Sequence, residues 1–126
     1  MYDQPTIKEL VEAVKNFVDH TAMPELSGRA AFHARVASNV LATIARDLEA
    51  RKQNDAEERS SLQALLGTSN ENDLRALNCE LSERLRNRTL DSSSTELMLH
   101  LKKTAIAQLK VDQPSYSGLK EAMKEE

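Results

Sequence analysis

Apolar residues recur at every third or fourth position along most of this 126-residue chain, which is the spacing of one side of an α-helix. With only three glycines and three prolines, few residues can interrupt that pattern. It predicts an all-α protein, a compact bundle of five main helices joined by short connections, with a possible short C-terminal helix. We expect a single helical domain over residues 1–126, with 117–126 as a possibly frayed tail.

The first helix has a clear start signal. Thr6 can cap the free backbone N–H groups, and Glu9 can reach back to complete a capping box, which predicts a helix over residues 6–20. Four further main helices are predicted from the same periodicity: 29–51, 55–66, 73–88 and 93–110.

Three boundaries depend on polar residues or glycine. The polar segment 53–55 is predicted to separate the second helix from the third, and Gly67 is predicted to end the third. Ser93 and Glu96 have the spacing of a second capping box, which would open the fifth helix.

Charge and cysteine content exclude several classes. The 17 basic and 20 acidic residues are interleaved and give a net charge of -3, so a nucleic-acid partner is not expected. No apolar run is long enough for a membrane span and the N-terminus lacks a secretory pattern, so we expect a cytoplasmic protein without a membrane partner. Cys79 is the only cysteine and is predicted to occupy a minor packing position. We expect no metal and no other cofactor.

The histidines receive different predictions. A helical wheel places His33 on the side of Val40 and Ile44, which we expect to face the core. A hydrogen-bonded core histidine is the favoured interpretation, and a histidine lining a pocket is the alternative. His20 and His100 lie away from the apolar sides of their helices, and both are predicted to be exposed.

The opposite side of the second helix carries a candidate site for a partner or an anion. Guanidinium groups beside an aromatic ring can bind carboxylates or phosphates. The favoured interpretation is a solvated helix side, with its phenylalanine covered by the connection over residues 23–27, and the binding site is the alternative. The candidate residues are Arg29, Phe32, Arg35, Asn39 and Arg46.

The fifth helix has two apolar rows. The row predicted to face the core comprises Leu97, Met98, Leu101, Ala105 and Leu109. Leu99 and Ile106 form a second row, seven residues apart, on another side. Either the helix is buried on two sides within one chain, or the second row forms a two-fold dimer contact, and the homodimer is the favoured prediction.

Three strings together resemble an uncharacterised bacterial domain family. The most specific part is the Phe-His-Ala-Arg-Val-Ala string over residues 32–37, and the similarity covers about residues 4–117. That string also includes Gly28-Arg29 and Asn39, and the other two are Gln4-Pro5-Thr6 with Glu9-Leu10-Val11-Glu12-Ala13-Val14, and Val111-Asp112-Gln113-Pro114-Ser115-Tyr116-Ser117. Members of that family are often encoded beside, or fused to, kinases similar to aminoglycoside phosphotransferases, and near acyl-CoA dehydrogenases. The resemblance implies a role beside such an enzyme and supplies no catalytic residue.

Two functional hypotheses follow. The leading one is a non-enzymatic accessory or interaction module for a kinase-like or acyl-CoA-handling enzyme, because the familiar catalytic motifs are absent from the sequence. The alternative is a small enzyme or ligand carrier that binds a phosphorylated or acyl-CoA-type compound near His33 and the neighbouring arginines.

Overall fold

Five α-helices account for most of the residues that the computed structural model describes, which are 4–71 and 73–125. In chain order they are α1 (Ile7–Phe17), α2 (Gly28–Leu66), α3 (Leu74–Arg86), α4 (Thr95–Asp112) and α5 (Ser117–Ala122). No β-strand occurs within those residues, which confirms the all-α prediction with five helices. None of the helices in the described ranges is both long and apolar enough to span a membrane. Residue 126, the end of the predicted tail, lies outside the described residues.

Contacts between residues divide the chain into two compact units, one up to Arg51 and one from Lys52 onward. Helix α2 contributes residues to both units. The single domain over residues 1–126 stays a prediction.

The capping box at the start of α1 is confirmed. The backbone N–H of Glu9 donates to Thr6 Oγ1 at 3.2 Å, and the backbone N–H of Thr6 donates to Glu9 Oε2 at 2.6 Å. The α-helix ends at Phe17, three residues earlier than predicted, and continues as a π-helical turn over Val18–Ala22 and a 3-10 turn over Met23–Glu25. Two of the free N–H groups at the helix start are therefore satisfied by side chains.

Two polar contacts show that α1 and the first part of α2 form an antiparallel hairpin. Lys8 Nζ donates to Glu49 Oε2 at 2.9 Å, near the start of α1. Just after the end of α1, Asp19 accepts a hydrogen bond from Ser38 Oγ of α2 and another from Lys15 Nζ at 2.6 Å. The Lys15 ammonium, together with the Ser38 hydroxyl, holds the pKa of Asp19 below its usual range.

The hairpin packs through the small residues of α2. Within described residues 4–51, only Ser38 and Ala45 are buried, and the half-buried alanines Ala31, Ala34 and Ala42 lie on the same side of the helix. The prediction that the large aliphatic side of α2 faces a core is therefore wrong, because the alanine and serine side allows α1 the closer approach.

Helix α2 continues through residues 53–55, where the sequence predicted a break. That segment contains neither glycine nor proline, so its polar residues can remain helical. Gln53 Nε2 donates to Glu57 Oε1 at 2.8 Å, a contact between side chains one helical turn apart. The predicted second and third helices are consequently one helix.

The predicted end of that helix is confirmed. Gly67 has a φ of +66°, and the N–H of Thr68 donates to the carbonyl of Gln63 at 3.0 Å, as in a Schellman motif. Asp73 then caps α3, because its carboxylate accepts from the N–H of Ala76 at 3.2 Å.

A leucine core holds the second unit together. Leu62 and Leu66 from the last turns of α2 pack with Leu77 and Leu81 of α3 and with Leu97 of α4. Four partly buried leucines surround this cluster: Leu65, Leu74, Leu85 and Leu90. Leucines at positions 62, 66, 77 and 81 recur at helical spacing, so one side of each helix supplies the core.

Ser94 is the N-cap of α4, in place of the predicted Ser93. Its hydroxyl accepts from the N–H of Leu97 at 3.2 Å. Ser93 instead donates to Asp91 from both its N–H and its hydroxyl, in a turn just before the helix. Either serine has suitable chemistry, and the turn at Asp91 decides which one caps.

Burial along α4 differs from the predicted core row. Met98, Leu101 and Ala105 are exposed, whereas the buried residues are Leu97, His100, Ile106 and Val111. Ile106 lies on the opposite side of α4 from Leu97, so the helix is buried on two sides within its own unit. Helix α5 packs against α4 and buries Leu119. The predicted dimer contact through Leu99 and Ile106 is therefore wrong for Ile106, which is only 5% exposed.

Candidate functional site

The arginine strip, which we define as Arg29, Phe32, Arg35, Asn39 and Arg46, follows the first five turns of α2. The first four residues are exposed, whereas Arg46 is half-buried and its Nη2 donates to Thr43 Oγ1 at 3.0 Å. This side of α2 is therefore solvated, as the favoured interpretation predicts, but the Phe32 side chain is 62% exposed, so the prediction that the connection over 23–27 covers it is wrong. The strip thus combines guanidinium groups and an accessible aromatic ring.

His33 lies beside the strip and is exposed, contrary to the prediction that it faces the core. Arg29 Nε donates to His33 Nε2 over a long 3.4 Å, which places the imidazole ring against the guanidinium. The rings of Phe32 and His33 meet edge to face, with centroids 5.6 Å apart. Three predicted site residues are therefore brought together in one surface cluster.

The far end of the strip is well separated from this cluster. At 1.5 Å per helical residue, Asn39 lies about 15 Å from Arg29 along the axis, and Arg46 about 25 Å away. The structure thus brings Arg29, Phe32 and His33 together and leaves Arg46 apart from them. One small ligand cannot contact both ends of the strip.

His100 is a buried polar residue that the sequence analysis placed on the surface. It is 4% exposed, and its Nδ1 lies 2.9 Å from Ser61 Oγ, a residue of α2. Burial lowers the pKa of His100, while the nearby Glu58 opposes that shift. The sequence did carry a signal for this burial, because Leu97 and His100 are three residues apart and therefore lie on one side of α4.

We expect His100 to make the second unit less stable in mild acid. Because its pKa is lower in the folded state than the ordinary 6.5, the unfolded chain binds the proton more readily. Stability should be unaffected by this group above pH 6.5 and should fall as the pH decreases below it. The slope cannot exceed that of one proton, about 1.4 kcal/mol per pH unit. Urea denaturation between about pH 7.5 and pH 5.5 measures it.

Two variants test the assignment of that slope. His100→Gln should remove it, whereas His33→Gln, which changes an exposed histidine, should retain it. A slope that survives in His100→Gln would contradict the prediction.

Helix α3 carries a shallow groove of about 300 Å³. It is lined by Arg75, Asn78, Cys79, Ser82, Glu83 and Arg86. Cys79 is exposed there, so its predicted packing position is wrong. Within residues 4–71 and 73–125, no three histidine, cysteine or acidic side chains are grouped so that they could bind a metal ion.

Comparison with protein families gives one match. The model of DUF6285, described as a domain of unknown function, matches residues 24–116. The match includes the Phe-His-Ala-Arg-Val-Ala string and the whole arginine strip, whereas the string over residues 4–14 lies before it. No significant match is found among curated proteins or among solved structures.

Proposed function

The chain belongs to the DUF6285 family, whose model spans most of its length, and we propose that it is a non-enzymatic interaction module that binds a partner protein through the arginine strip. The observation that supports this most is the exposure of Phe32 among arginines. Arginine and aromatic residues are the side chains that most often dominate the binding energy of protein interfaces.

The length of the strip favours a protein over a small ligand. A surface of about 15 to 25 Å along one helix suits a folded partner, whose contact area is usually about 800 Å² per side. Guanidinium groups pair well with carboxylates, so the complementary surface on the partner carries acidic residues. The partner classes that we propose are a kinase similar to aminoglycoside phosphotransferases and an acyl-CoA-handling enzyme.

Co-elution of purified proteins tests this function. We expect the native chain to elute with an enzyme of one of these classes from the same organism, at about 150 mM salt. Arg35→Glu should weaken the complex at least tenfold, because it sets a carboxylate against an acidic surface. The matched control is Arg75→Glu, the same charge change on the exposed side of α3, which should bind like the native chain.

Two outcomes would contradict the proposal. One is the absence of a complex with either enzyme class, and the other is equal loss of binding in both variants.

The contact between Arg29 and His33 supports a second candidate, a small enzyme or carrier for an anionic compound. Saturable binding of coenzyme A by the chain alone, lost in Arg29→Gln, would favour that candidate.

A further inference from the structure

The hairpin of α1 and α2 has an apolar surface, which we call the hairpin face. It comprises Ile7, Leu10, Val14 and Phe17 of α1 with Val40, Ile44 and Leu48 of α2, and all seven residues are exposed. We propose that this face binds a second copy of the chain, so that two hairpins form a four-helix dimer interface. The proposal is independent of the arginine strip and of any partner enzyme.

The register of the hairpin brings the two rows of side chains to the same level. Position 8 lies opposite position 49, and position 19 lies opposite position 38. The same antiparallel register places Phe17 level with Val40, and Ile7 within two residues of Leu48.

Helical geometry also places both rows on one side of the hairpin. The half-buried side of α1 includes Val11 and Lys15, and the buried side of α2 includes Ser38 and Ala45, so we infer that the two helices meet on these sides. In an antiparallel pair, the row of Val14 and the row of Ile44 are rotated from these contact sides toward the same direction. The seven side chains therefore form one continuous surface.

The size of this surface fits an interface. Seven half-exposed side chains present on the order of 500 Å² of apolar area, at the upper end of what a monomer leaves exposed. With flanking residues it approaches the roughly 800 Å² per partner of a stable complex. Since only Ser38 and Ala45 are buried within described residues 4–51, the hairpin has almost no core of its own. A second copy that covers the hairpin face would bury the apolar side chains that the hairpin alone leaves exposed.

The charges around the hairpin face favour a second copy as the occupant. A two-fold interface sets each surface against itself, so like charges on the surface would repel. The seven residues of the hairpin face are uncharged, and charged neighbours are paired within one chain: Lys8 with Glu12 and Glu49, and Asp47 with Arg51. Two copies can therefore meet without burying an unpaired charge. The resulting arrangement of four helices is a common packing solution.

Sedimentation equilibrium tests the dimer directly. We expect the native protein to have twice its 14.1 kDa chain mass at micromolar concentration. The double variant Val14→Glu, Ile44→Glu should be monomeric, with a dissociation constant raised at least a hundredfold. Leu99→Glu with Met98→Glu adds the same charges to exposed apolar positions of α4 and should remain dimeric. A monomeric native protein, or a dimer that persists in the first variant, would overturn the proposal.

Disulfide cross-linking tests the same dimer even if the double variant Val14→Glu, Ile44→Glu does not fold. In a Cys79→Ser background, Ile44→Cys should form a disulfide-linked dimer on mild oxidation, because the substituted residue lies on the shared face. Leu99→Cys in the same background should stay monomeric on a denaturing gel. Equal cross-linking of both variants, or none in Ile44→Cys, would reject the dimer at this face.

Discussion

Replacing Leu77 with alanine should lower the free energy of unfolding by about 3 kcal/mol. Leu77 is completely buried and packs in the leucine core of the second unit with Leu62 and Leu97. Removal of three carbon atoms leaves a cavity that rigid helix contacts cannot fully close, so the loss exceeds the transfer free energy alone. Urea denaturation followed by circular dichroism measures the change.

The matched control is Leu99→Ala, which makes the same chemical change on α4. Leu99 is 54% exposed, so this variant should lose less than about 1 kcal/mol. Similar losses in the two variants would show that the leucine core does not hold the second unit together.

A glutamate at position 106 should prevent the second unit from folding at neutral pH. Ile106 is buried on the side of α4 opposite Leu97, so a carboxylate at this position would lose most of its hydration. A buried, unpaired carboxylate costs several kcal/mol, which is comparable to the whole stability of a small domain. We expect the helical circular dichroism signal to be lost and the cooperative unfolding transition to be absent.

Leu99→Glu distinguishes burial within the chain from a contact between chains. If Leu99 and Ile106 formed one dimer interface, both glutamate variants would dissociate the protein and leave it folded. The structure instead predicts that Leu99→Glu stays folded and Ile106→Glu does not. A folded Ile106→Glu monomer would contradict the burial of this residue.

Local chemistry made several boundaries predictable from the sequence. The capping box of Thr6 and Glu9 and the glycine end at Gly67 depend on residues within five positions of one another, and both are confirmed. The expected break over 53–55 failed because polar residues permit a helix end without requiring one. Such segments become loops only when packing favours a turn.

Burial was harder to predict, because a helical wheel gives relative directions and does not say which side another helix covers. On α2 the large residues near Val40 suggested the core side, yet α1 packs against Ser38 and Ala45. That reversal put His33 on the surface, and a similar reversal on α4 put His100 inside. The exposure of Arg29 was predicted, whereas the exposure of Phe32 and the contacts of both residues with His33 required the structure.

The seam of alanine and serine between α1 and α2 has a consequence for how this sequence can vary. Helices that meet through such small side chains lie close together, so an added methylene at Ser38 or Ala45 has no space to enter. The larger residues Val36 and Val40 point away from that seam and can change size without separating the two helices. In the hairpin, therefore, natural variation should be most restricted at its smallest residues, the reverse of what hydrophobicity alone would suggest.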